Sequence, residues 1–124
     1  MPIRATSLVI SATACFLGAL PAIAQEAVDC RQFNSIASYA PGPGMEITFT
    51  NASESRRTVM WQDTSGAPVY LMDLNVGESA GYMVGPGDIF AMVDGPGNCV
   101  EMFRATAGQS QYVMRAIATG AGGD

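Results

Sequence analysis

Short runs that alternate apolar and polar residues fill most of the chain, and turn-forming residues separate them. In the run from Thr58 to Gln62, Val59 and Trp61 fall on one face and Met60 on the other. Clusters of glycine, proline, asparagine or aspartate follow such runs about every 8–12 residues, which is typical of an all-β sandwich or barrel. The pattern therefore predicts an all-β fold of one of these two kinds.

The predicted strands number seven, and no segment beyond the first 24 residues carries a helical stripe with a cap at each end. They are Ile47–Thr50, Thr58–Gln62, Val69–Leu74, Ser79–Val84, Ile89–Val93, Cys99–Phe103 and Gln111–Met114. The run Pro41-Gly42-Pro43-Gly44 can lie neither in a helix nor in a central strand, so it predicts a loop before the first strand.

The first 24 residues have the features of a secretory signal. Arg4 supplies a positive start, Leu8 to Leu20 is apolar, and Ala22-Ile23-Ala24 is a small-x-small cleavage pattern. The apolar stretch falls short of the about 20 residues that span a bilayer. We therefore predict that the protein is exported, periplasmic or secreted, with no membrane insertion after cleavage.

Cleavage leaves roughly 100 residues, the size of one small domain. We expect an irregular N-terminal segment at residues 25–45, the β-domain at residues 46–115, and a flexible glycine-rich tail at residues 116–124. Two cysteines remain, Cys30 in the irregular segment and Cys99 in a late strand. An even pair in an exported chain predicts a disulfide.

Charge and composition exclude several classes of function. The chain is acidic, with a net charge of −5 and no histidine, and its basic residues beyond the signal are five arginines. An acidic surface without a basic stripe argues against nucleic-acid binding. Without histidine or lysine no serine has an activating base, so we expect no enzyme activity. No metal site and no cofactor are predicted, because no ligand cluster is present and the methionines are spread one to a strand.

An ordered set of residues between Ile47 and Phe103 resembles the β domain of the von Hippel–Lindau tumour suppressor, as carried by small exported bacterial proteins. The elements of the set are Asn51-x-Ser53, Arg56 to Trp61, the turn at Gly66, Tyr70, Leu74-x-x-Gly77, the strand from Asp88 to Asp94, and Gly97-Asn98-Cys99. The resemblance implies an antiparallel β-sandwich of about seven strands.

The resemblance also implies a binding site, because the family's β domain holds a hydroxyproline-containing peptide in an aromatic pocket. Its positions fall on Trp61, Tyr70, Val84, Asp88 and Phe90 of this chain. The aromatic walls are retained, whereas a serine and a histidine that hold the hydroxyl are replaced by Val84 and Asp88. A site that loses the partners of a buried hydroxyl loses its affinity for it. We therefore expect an apolar or aromatic ligand that carries a donor or a positive charge.

Two functions remain open at this point. The first is a non-catalytic binding module that recognises a peptide or protein through the surface formed by Trp61, Tyr70 and Phe90. The alternative is a structural or stabilising envelope protein with no small ligand, in which these aromatics are core or half-buried strand residues. Exposure of Trp61 beside Tyr70 favours the first, and burial of Trp61 favours the second.

If the signal is cleaved after Ala24, the exported protein begins at Gln25. Intact-mass and N-terminal peptide mass spectrometry of the exported fraction should find that terminus. Retention of residues 1–24 on the exported protein would contradict the prediction.

Overall fold

The protein folds into two packed β-sheets. The computed structural model describes residues 26–39 and 44–118, so the predicted signal peptide, most of the Pro41–Gly44 loop and residues 119–124 lie outside the described residues. The strands are β1 (Glu26–Val28), β2 (Met45–Asn51), β3 (Arg57–Gln62), β4 (Pro68–Leu74), β5 (Ser79–Val84), β6 (Ile89–Val93), β7 (Cys99–Arg104) and β8 (Gln111–Met114). A 3₁₀ helix at Cys30–Gln32 follows β1.

The sheets have five and three strands, in the orders β1-β7-β6-β3-β4 and β5-β2-β8. The all-β sandwich is therefore confirmed, and each of the seven predicted strands is present. Two details of the sheets differ from the prediction. β1 is an eighth strand, formed by the segment expected to be irregular, and it pairs with β7. The sequence does not reveal it because three residues are too few to show alternation. The pair β2–β8 is parallel, an orientation that no local sequence signal reports.

The main core lies between the two sheets, and alternation decides which residues reach it. Ile47 and Phe49 of β2 point inward and are fully buried, as are Phe90 and Met92 of β6. The Phe90 ring packs 5.3 Å from that of Phe49, with a T-shaped geometry that favours aromatic pairs. The inward faces predicted from period two thus form one continuous apolar layer.

Strand β6 is buried on both faces. Its outward residues Ile89 and Ala91 belong to a second apolar cluster, which Phe33 and Ile36 of the N-terminal segment help to cover. The predicted disulfide between Cys30 and Cys99 is present and lies in this cluster. The segment that sequence alone assigned to irregular structure is therefore part of the domain.

The start of the predicted flexible tail also contacts the domain. The Ala116 carbonyl accepts a hydrogen bond from Arg57 at 3.2 Å, and the Ala116 amide donates to Glu101 at 3.2 Å. The Ala118 amide donates to Glu54 at 3.4 Å. Residues 116–118 of the predicted tail therefore make hydrogen bonds with the β-domain.

Removal of the disulfide should destabilise the fold without changing its topology. The bond joins residues separated by 69 positions, and the chain-entropy model gives a loop of this length about 4 kcal/mol of unfolding free energy. The double variant Cys30→Ser/Cys99→Ser should show that loss in urea denaturation. Quantitative thiol titration of the native oxidised wild-type protein would instead contradict the pairing.

Candidate functional site

A pocket of about 200 Å³ opens between the two sheets beside β5, an edge strand of the three-stranded sheet. Its lining comes from three strands and the turn before β6, and consists of Trp61, Tyr82, Met83, Asp88 and Phe90. We call this set the aromatic pocket. It brings together three of the five residues predicted from the sequence and adds two that were not predicted.

Trp61 and Phe90 form the side of the pocket that belongs to the five-stranded sheet. They are directly opposite each other in the β3–β6 register, so their side chains share the inner face. Phe90 is 1% exposed and is part of the core, whereas Trp61 is half-buried and packs against the core. Trp61 is therefore neither the fully exposed nor the fully buried residue that would decide between the two open functions by itself.

Asp88 fixes the indole of Trp61. Its Oδ1 accepts a hydrogen bond from Trp61 Nε1 at 3.2 Å, and its Oδ2 accepts one from the Gly85 amide at 2.8 Å. The Asp88 amide in turn donates to the Gly85 carbonyl at 3.0 Å, which closes the turn before β6. The carboxylate thus holds a wall of the pocket and the adjacent turn in place while lining the pocket itself.

Tyr82 and Met83 form the opposite side of the pocket, and the sequence-based assignment missed both. Tyr82 pairs with the buried Ile47 in the β2–β5 register, so it lies on the inner face, yet it is 41% exposed because β5 is an edge strand. Met83 is 63% exposed. A signal for Tyr82 was present, since period two places it on the same face of β5 as Val84, a position that the resemblance assigned to the site.

Two of the predicted site residues do not line the pocket. Val84 is 5% exposed and belongs to the core, where it pairs with Met45. Tyr70 is 58% exposed but lies on the outer face of the five-stranded sheet, opposite Met60. The β3–β4 register shifts between Val59 and Met60, which pair with Met72 and Tyr70. The bulge puts one extra residue into β4 between Tyr70 and Met72. Tyr70 and Met72 therefore lie on opposite faces, although period two predicts the same face.

On that outer face Tyr70 belongs to a different polar group. Its hydroxyl donates to Asp73 Oδ2 at 3.2 Å, and Asp73 also accepts hydrogen bonds from Thr58 at 2.5 Å and from Arg56 at 2.6 Å. These donors, Thr58 foremost, hold the pKa of Asp73 below its ordinary value. Tyr70 thus belongs to a surface network on the face of the sheet opposite to the pocket.

Within residues 26–39 and 44–118, no group of three histidine, cysteine, aspartate or glutamate side chains is arranged to hold a metal ion. In the same ranges no helix is long and apolar enough to cross a membrane. Comparisons of the sequence with protein-family models and with curated proteins give no match.

The pocket geometry predicts how the single tryptophan responds to its neighbours. Because Tyr82 lines the same pocket as Trp61 and Tyr70 lies on the other face of the sheet, Tyr82→Ala should increase acrylamide quenching of Trp61 fluorescence. Tyr70→Ala, which removes a similar exposed ring, should leave quenching unchanged. Equal quenching in both variants would contradict the assigned faces.

Proposed function

We propose that the protein is an exported, non-catalytic binding module that takes one side chain of a peptide or protein ligand into the aromatic pocket. The observation that carries the proposal is the pocket itself, a preformed cavity with aromatic walls on two different sheets. Its floor, Phe90, is fixed in the core, and its outer rim, Tyr82 and Met83, is exposed. Rigid aromatic side chains and methionine at an accessible concave site are typical of recognition surfaces.

The size of the pocket favours a single side chain over a whole small-molecule ligand. At about 200 Å³ it is smaller than the roughly 300–1,000 Å³ of sites that enclose drug-sized compounds. It also lies beside the edge of β5 that pairs with no other strand among the described residues, which suits a ligand that extends beyond the pocket. A peptide or a protein segment meets both conditions.

The lining also supports a role without catalysis. Asp88 is the only acid or base among the side chains of the lining apart from the phenol of Tyr82, and both carboxylate oxygens already accept a hydrogen bond. A general base must lie within hydrogen-bond reach of the proton that it abstracts, whereas the Asp88 oxygens are engaged by the indole and the Gly85 amide. The described lining offers binding contacts and one fixed charge.

The proposal also includes export of the protein and its membership of the von Hippel–Lindau β-domain family. A disulfide between Cys30 and Cys99 is a feature of proteins from oxidising compartments, and the signal-like N-terminus agrees with it. Membership of the von Hippel–Lindau β-domain family is supported by the ordered motifs and by the meeting of Trp61, Asp88 and Phe90 at one cavity. The following experiment distinguishes this binding module from the alternative, a structural envelope protein.

Selection from a random peptide library on the immobilised protein should yield ligands whose binding depends on the pocket. Tyr82→Ala should weaken the selected peptides by at least roughly tenfold, because truncation of an anchoring aromatic costs about 2 kcal/mol or more. Tyr82 is preferred to Trp61 for this test because Trp61 also packs against the core. Calorimetric titration measures the affinity.

Tyr70→Ala serves as the matched control, since it removes an exposed tyrosine of the same protein from the other face. Its affinity should equal that of the wild type. Selected peptides that bind Tyr82→Ala as tightly as the wild type, or a library that yields no ligand at all, would favour the structural role.

A further inference from the structure

The aromatic pocket contains an acidic group without a cationic partner. Asp88 is the only side chain in the lining with a formal charge, and its two hydrogen-bond donors, the Trp61 indole and the Gly85 amide, are both neutral. The ion pairs found among residues 26–39 and 44–118 use Asp29, Asp73, Glu54 and Glu26 as acids. A bound ligand would therefore meet a negative charge that no arginine of the described chain neutralises at short range.

Arg104, the described arginine closest to Asp88 in the sequence, interacts with other groups. Arg104 donates to the Gly87 carbonyl at 3.2 Å, but its guanidinium lies 4.5 Å from the ring centre of Tyr39 and 3.9 Å from Glu26. It pairs with Ile89 in the β6–β7 register, so it lies on the outer face, opposite to Phe90. Arg104 therefore does not place a positive charge beside the Asp88 carboxylate on the pocket side of β6.

The walls of the pocket also favour a cationic ligand. Tyrosine, phenylalanine and above all tryptophan attract cations through the negative potential of their ring faces, and the lining has one of each. A neutral apolar side chain would fill such a space but would leave the Asp88 carboxylate partly desolvated and unpaired, which is unfavourable.

The hydrogen bonds of Asp88 narrow the type of cation. Each carboxylate oxygen already accepts an N–H, which leaves limited capacity for further donors. A primary ammonium is strongly hydrated, and on entering the pocket it would exchange its hydrogen bonds with water for few protein acceptors. Guanidinium is more weakly hydrated and stacks on aromatic rings, and a methylated ammonium has few or no N–H groups to satisfy.

We propose that the aromatic pocket binds a weakly hydrated organic cation, the guanidinium of an arginine or the methylated ammonium of a modified lysine, carried by the peptide ligand. The cation lies among Trp61, Tyr82 and Phe90 and faces the carboxylate of Asp88. This inference rests on the proposed binding function and adds the chemical class of the side chain that enters the pocket.

Matched ligand pairs on the wild-type protein test the charge directly. The probes are Nα-acetylarginine amide and its neutral isostere Nα-acetylcitrulline amide, with the Nα-acetyl amides of lysine and Nε-trimethyllysine as a second pair. Trp61 is the only tryptophan in the chain, so its fluorescence reports occupancy of the pocket without labelling. Arginine should bind roughly tenfold more tightly than citrulline, and trimethyllysine more tightly than lysine. Equal affinity for arginine and citrulline would overturn the inference.

Charge variants locate the effect. Asp88→Asn should reduce the preference for arginine over citrulline to near unity, whereas Asp73→Asn, which removes an equal charge from the outer face, should leave the preference unchanged. The ratio of the two affinities is the readout, because loss of the Asp88 contacts with Trp61 and Gly85 can weaken both probes together. A preference that persists in folded Asp88→Asn would overturn the assignment to this carboxylate.

The outcomes separate this inference from the proposed function. If library peptides bind in a manner that depends on Tyr82 but contain no cationic side chain, and the charged probes do not bind, the pocket is a peptide site for neutral side chains and the inference is wrong. If neither peptides nor probes bind, the proposed function itself fails. Enrichment of arginine or binding of trimethyllysine, sensitive to Asp88→Asn, supports both.

Discussion

The domain depends on the burial of strand β6 from both sides. A five-residue strand without a single polar side chain, Ile89–Val93, is stable only where each of its faces is covered. The three-stranded sheet covers the inner face, and the N-terminal segment, held by the disulfide, helps to cover the outer one. β6 also carries Phe90, so the floor of the aromatic pocket is rigid because the same strand is the centre of the fold.

A second set of constraints comes from buried polar side chains that organise the turns. Asn51 donates to the carbonyls of Ser55 and Leu74 at 2.9 and 2.8 Å and accepts from Ser53, and Gln62 donates to those of Ile36 and Gly66, both at 3.0 Å. Because a buried polar group without a partner costs free energy, these residues fix the paths of the loops around them. The Asn51-x-Ser53 motif and the end of β3 are thus explained by turn structure, without a ligand.

The sequence allowed the strands to be placed because alternation and turn residues are local signals. The faces of Val59, Trp61 and Met60 followed from period two and are confirmed. The same argument failed at Tyr70, since a bulge adds a residue to β4 without any mark in the sequence. Tyr82 was overlooked for a different reason. Its face was evident, but its exposure depends on β5 being an edge strand, and strand order is a property of the whole sheet.

Features that join distant parts of the chain were the hardest to predict. The cysteine pair was an exception, because the two cysteines beyond the predicted signal allow only one pairing. The strand β1, the parallel contact of β2 with β8 and the hydrogen bonds of residues 116–118 to Arg57 and Glu54 all join partners more than 50 positions apart. Such contacts form where two surfaces complement each other in three dimensions, and each surface alone has an ordinary sequence.

The pairing of β1 with β7 and of β2 with β8 has a consequence for the synthesis of the protein. The first two strands to leave the ribosome each need one of the last two, so neither sheet is complete until almost the whole chain has been made. Folds dominated by such long-range pairing form slowly. During that interval the early strands lack these partners. The order of strands thus delays completion of both sheets until nearly the whole polypeptide is available.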